Sequence, residues 1–76
     1  MEDPLHELAR RAAGEACVTL LWRPRDDRLF VVVDDPSRGE WFRLDVCDGE
    51  QPLDVFHHPY AYAAWHGVEP RSAVPA

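Results

Sequence analysis

The 76-residue chain contains no lysine, no asparagine and no isoleucine. Without asparagine there is no acceptor for N-glycosylation. Without lysine, every cationic side chain other than histidine is an arginine, and 8 of them face 14 carboxylates for a formal charge of −6. With no basic stripe along the chain, that balance repels phosphate backbones, so nucleic acid is not expected as a partner. The three missing residues share AT-rich codons, which points to a GC-rich bacterial coding sequence and weakens any special reading of a single arginine. No run approaches eighteen apolar residues, so no membrane span and no membrane partner are expected. The acidic start Met1-Glu2-Asp3-Pro4 has neither the basic region nor the apolar run of a signal peptide, and the expected location is the cytoplasm.

Motifs that would name a chemistry are missing as well. Neither G-x-x-x-x-G-K nor G-x-G-x-x-G occurs, so no phosphate loop is present, and no G-x-S-x-G places a nucleophile on a sharp turn. Cys17 falls within a strand pattern rather than at a helix N-terminus, where a reactive thiol is expected. The acidic run Asp45, Asp48, Glu50 and Asp54, with Asp26 and Asp27 at the same end of the sheet, lacks the EF-hand spacing and reads as a solvated rim. Asp54 and His58, four apart, form a pair without a nucleophile to serve. No catalytic residue, enzymatic activity or cofactor is expected.

The residues that are present describe a small core. Hydrophobic content of 46% with 11% aromatics is too rich for disorder. The length fits one domain, expected over residues 1–67 and followed by a flexible tail, 68–76, carrying Pro70 and Pro75. The organising segment is Ala16 to Val46, read as three consecutive strands joined by two short turns. Its middle strand, Leu29-Phe30-Val31-Val32-Val33, is apolar at every position, so both faces of the sheet need cover there.

The expected fold class is α+β: an N-terminal helix, a three-stranded antiparallel meander in the order 1-2-3, and a short C-terminal helix or two helical pieces. Asp3 and Pro4 resemble an N-cap with proline at the first helical position, Gly14 a C-cap, and Leu5, Leu8, Ala9 and Ala12 recur at helical spacing between them. Turns at Arg23–Asp27 and Asp35–Gly39 carry Pro, Asp and Gly. At the other end, Pro59 makes His58 a boundary and opens a last helix that stops near His66 and Gly67. Leu53, Phe56, Tyr60, Ala63 and Ala64 are its expected inward side.

If Phe42 lies beside Val32 and Leu20, one sheet face collects Val18, Leu20, Trp22, Phe30, Val32, Phe42, Leu44 and Val46 as the main core. The other face then holds Leu21, Leu29, Val31, Val33 and Trp41 as a contiguous apolar strip, which is the candidate interaction site. A protein partner or a second copy of the chain is expected on that face or on a free edge strand, and a one-residue slip in register would exchange the faces. Cys17 and Cys47 fall on the two outer strands, farther apart than the roughly 4.4 to 6.8 Å between Cα atoms that a disulfide permits, and are expected as reduced thiols. The alternative from another class is a metal-dependent or enzymatic protein built on His57, His58 and His66. The spacing opposes it: His57 and His58 are adjacent, His58 and His66 stand about 12 Å apart along a helix, and nothing in the sequence brings either cysteine close.

Overall fold

The computed structural model describes residues 5–68 and 71–72. It is an α+β fold. Strands β1 (His6–Ala13), β2 (Ala16–Arg23), β3 (Arg28–Asp35) and β4 (Glu40–Asp45) are followed by helices α1 (Pro52–His57) and α2 (Pro59–His66) and by a two-residue strand β5 (Arg71–Ser72). The four main strands form an antiparallel meander in chain order, and β5 adds to the outer side of β4 opposite Glu40 and Trp41. The rest of the expected tail beyond Val68 lies outside the described residues.

The N-terminal segment corrects the expectation of a helix, and the meander has four main strands, with the short β5 added, where the pattern predicts three. Asp3 and Pro4 lie outside the described residues. From His6 onward the chain is a strand, and Gly14, read as a helix C-cap, instead opens the two-residue turn of the β1–β2 hairpin at φ 64°. The reason is the needs of β2. That strand buries Ala16, Val18 and Leu20, and its outer N–H and C=O groups require a partner beside them. The segment Leu5–Ala12 offers only a narrow apolar stripe to a helix, and Leu5 and Leu8 remain half exposed even now. Pairing satisfies β2 locally and overrides helix propensity.

Both long turns are one residue shorter than the sequence suggests. Arg23 pairs with Arg28 across Pro24–Asp27, closed by Asp27 at φ 54°, and Asp35 pairs with Glu40 across Pro36–Gly39, closed by Gly39 at φ 64°. The side chain of Asp27 also accepts the Trp22 indole N–H at 2.8 Å. Shortening both turns leaves β2 and β4 in the expected relation and turns β3 over. Val31 faces Leu20 and Leu44, and Val33 faces Val18 and Phe42, so these four pairs form one side. Phe30 and Val32 lie on the other.

Both helices pack on the Val31 and Val33 side. The core there joins Ala16, Val18, Leu20, Val31, Val33, Phe42 and Leu44 of the sheet to Val55 and Phe56 of α1 and Tyr62 and Ala63 of α2. As Pro59 predicts, His58 (φ −130°, ψ 52°) breaks the helical path between Pro52–His57 and Pro59–His66. The change of axis alters the inward side: Val55, Phe56, Pro59, Tyr62 and Ala63 are buried, whereas Leu53, Tyr60 and Ala64 are exposed. Gly67 in the left-handed region ends α2.

Arg11 ties the hairpin to the helices. It lies opposite Val18 on the covered side, and its guanidinium donates to the Phe56 carbonyl (3.2 and 2.8 Å) and to the His57 carbonyl (3.0 Å). It also lies 5.4 Å from the centre of the Phe56 ring. A cation on the last carbonyls of α1 satisfies groups the helix leaves unpaired and complements its dipole.

Candidate functional site

The expected interaction strip is divided by the register. Leu21 and Trp41 do lie on the face away from the helices. Val31 and Val33, at 0% and 1% exposure, are core residues, and Leu29 is on the covered side beside Trp22, half buried. Their places on the open face are taken by Phe30 and Val32, with Cys17 and Thr19 of β2 alongside. The reading of those valines as surface is therefore corrected, and the open face is Leu21, Phe30, Val32 and Trp41 with polar neighbours.

Phe30 is only 4% exposed although no helix reaches it. Two arginines lie over it: the guanidiniums of Arg23 and Arg43 are 5.7 and 5.4 Å from its ring centre. Arg23 is held there by two hydrogen bonds to the Asp26 carboxylate, at 2.9 and 2.8 Å, and that contact keeps the Asp26 carboxyl below its ordinary pKa. Arg43 approaches Asp45 at 3.9 Å and Arg10 approaches Glu7 at 3.4 Å. By register Arg10, Arg23, Arg28 and Arg43 share this face with Glu7, Asp34 and Asp45, so it is close to neutral on a chain of net charge −6. The excess negative charge sits elsewhere.

The free edge at β1 is differently built. Its register jumps at Leu8, where one extra residue forms a bulge, and Glu7, Arg10 and Arg11 punctuate it. Bulges and charges are what discourage strand addition at an edge.

A second constellation lies at the end of β4. Cys47, Asp48, Gly49 and Glu50 form a tight turn with the Glu50 N–H donating to the Cys47 carbonyl at 3.0 Å, and Gly49 takes the φ of 87° that the turn requires. The Glu50 side chain folds back: Oε1 accepts the Cys47 N–H at 2.9 Å, and Oε2 lies 2.8 Å from Nε2 of His66, the last residue of α2. Sγ of Cys47 is 4.0 Å from the same nitrogen. The Cys47 N–H and the His66 ring hold the Glu50 carboxyl below its ordinary pKa, whereas desolvation and the neighbouring carboxylates, Glu50 first, push the Cys47 thiol up. A groove of about 410 Å³ between this turn and the Asp26–Leu29 region has Cys47 and Glu50 in its wall.

Of the three candidate histidines, only His66 joins such a group. His57 is exposed with its ring against Phe56, and His58 is exposed, with Nε2 3.9 Å from Asp54. Asp54 instead accepts the hydroxyl of Tyr62, and that bond, with desolvation behind it, pushes the tyrosine up to about 12. Cys17 and Cys47 are both free thiols. The sequence reading misses Cys47 and Glu50 as partners of His66. The available signal is the Cys47-Asp48-Gly49-Glu50 turn, which sets the thiol and carboxylate side by side, but the position of His66 depends on how α2 docks. Comparison with protein-family models, with curated proteins and with solved structures finds no match to this chain.

Proposed function

We propose that the protein is a non-enzymatic interaction module that pairs with a second copy of itself through the open face of its sheet. The observation that carries this reading is that both helices pack on one side, so that among the described residues no helix lies over Leu21, Phe30 and Val32 on the other. Three further features support it. The open face is nearly neutral, so two copies meet there without the repulsion that a −6 chain meets elsewhere. The cover over Phe30 includes the Arg23 and Arg43 side chains, whose apolar stems and planar heads are suited to a protein interface. A 76-residue chain also has a thin core and gains from a partner, most simply a two-fold related one.

Face-to-face stacking of two such sheets makes a sandwich with one helical layer on each outer side. The bulged, charged β1 edge disfavours the edge-to-edge alternative. A cytoplasmic setting fits the two free thiols.

Sedimentation equilibrium over a wide concentration range tests the reading. The mass is expected to rise from the 8.7 kDa of one chain toward twice that value. Leu21→Glu and Trp41→Glu are expected to keep it at the monomer, with unchanged circular dichroism. Trp65→Glu, at the most exposed large apolar side chain among the described residues, is expected to leave association intact. A strict monomer at high micromolar concentration overturns the proposal. So does an association that Trp65→Glu abolishes and Leu21→Glu leaves alone.

A further inference from the structure

The cluster at the end of β4 has a geometry that hydrogen bonding alone does not require. Three different donor atoms, Sγ of Cys47, a carboxylate oxygen of Glu50 and Nε2 of His66, lie within 4.8 Å of one another. A catalytic relay would use the two imidazole nitrogens separately, one toward the nucleophile and the other toward the orienting carboxylate. Here a single nitrogen, Nε2, faces both the thiol at 4.0 Å and the carboxylate at 2.8 Å. Convergence on one nitrogen is the arrangement of ligands around a shared ion.

We propose that Cys47, Glu50 and His66 bind a zinc ion through these three atoms, with water in the fourth position. Tetrahedral zinc with bonds of about 2.0 to 2.3 Å separates neighbouring ligand atoms by roughly 3.5 Å. The observed separations of 2.8 and 4.0 Å bracket that value, so small side-chain adjustments suffice. The ligand set selects the metal: thiolate and imidazole favour zinc over magnesium or calcium, which demand oxygen shells. On binding, the Cys47 thiol releases its proton to solvent and Nε2 of His66 gives up any proton it carries, so that Sγ⁻, the Glu50 carboxylate and a neutral imidazole make an uncharged complex with Zn²⁺.

The surroundings suit this role. Glu50 keeps Oε1 on the Cys47 N–H, which fixes the carboxylate while Oε2 is offered to the ion, as supporting contacts orient ligands in metal sites. The His66 and Glu50 side chains are each only 20% exposed. Asp45 and Asp48 add negative potential at Cys47. Cys47 and Glu50 also line the groove facing the Asp26–Leu29 region, which gives solvent access to the open coordination position. The ion would clip the β4 exit to the C-terminal end of α2, where Glu50 and Cys47 already meet His66.

The test uses reduced, untagged, chelator-treated full-length protein titrated with Co²⁺ as a spectroscopic stand-in and then with Zn²⁺. One equivalent of Co²⁺ is expected to give tetrahedral visible bands and a thiolate charge-transfer band in the near ultraviolet, both erased by one equivalent of Zn²⁺. Cys47→Ser should abolish the charge-transfer band, and His66→Gln and Glu50→Gln should each weaken binding at least tenfold. Cys17→Ser and the double change His57→Gln with His58→Gln should leave both affinity and spectrum unchanged. Because a ligand variant can perturb the turn, zinc addition to the unaltered protein is also followed by the His66 ring signals in NMR, which should shift with one-to-one stoichiometry. Absence of saturable one-to-one binding overturns the proposal, as does a charge-transfer band that survives Cys47→Ser and disappears in Cys17→Ser.

Discussion

The two faces of this sheet share a middle strand yet are covered by different means. Val31 and Val33 point into a layer of helix, while Phe30, one residue away and just as hidden, is covered by the Arg23 and Arg43 side chains of its neighbouring strands. The first kind of cover is fixed by chain connectivity and by Arg11 holding the end of α1. The second is made of long flexible side chains that can move aside for an incoming surface. Burial alone does not distinguish a core residue from one under a movable cover. The material that provides it does.

The largest expected effect separates the two faces by stability. Leu44→Ala on the helix side should cost about 2 to 5 kcal/mol, whereas Val32→Ala on the open side should cost about 1 kcal/mol, both measured by urea unfolding. Equal costs would break the distinction. The arginines should divide the same way. Losing the carbonyl bonds of Arg11 through Arg11→Ala should cost about 1 to 3 kcal/mol. Arg43→Ala, which removes one cation from over Phe30, should cost about 0.5 to 1 kcal/mol.

Titration sharpens the comparison further, because the shifts of Tyr62 and Glu50 belong to groups held by the helices. Tyr62, pushed up to about 12 by the Asp54 hydrogen bond, ionises later in the folded chain than at its ordinary value of 10. Its contribution to stability is therefore complete below pH 10 and is lost as pH rises toward 12. An ultraviolet titration should show this late tyrosine, and Asp54→Asn should return it toward the ordinary range. Glu50 has the opposite sense: its folded value is lowered from 4.5, so its contribution is present above that pH and disappears as the solution is acidified through the folded value. Glu50→Gln should flatten that part of the acid limb. Neither titration should respond to Trp41→Glu on the open face.

Much of this architecture is legible in the residues. The all-apolar Leu29–Val33 run marks a strand buried on both sides, Pro59 opens the last helix, and Gly67 closes it. Two features are not legible, for different reasons. Leu5–Ala12 satisfies helical spacing as well as it satisfies a strand, and only the unpaired edge of β2 decides between them. The register of β3 rests on whether Arg23 and Asp35 belong to a turn or to a ladder, a difference of one residue at each turn that inverts the middle strand and moves Val31 and Val33 from surface to core. The Cys47 and Glu50 turn can be read locally, but its meeting with His66 is a tertiary fact, set by the docking of α2.

The claim that the open face is the docking surface is tested most directly by an NMR dilution series on the unaltered chain, following every backbone amide as concentration rises. The account predicts concentration-dependent shifts at Leu21, Phe30, Val32, Trp41 and Arg43, with the exposed side of α2 around Trp65 and the β1 edge around Leu8 unmoved. Shifts confined to α2 or to β1, or none anywhere up to high micromolar concentration, would contradict it.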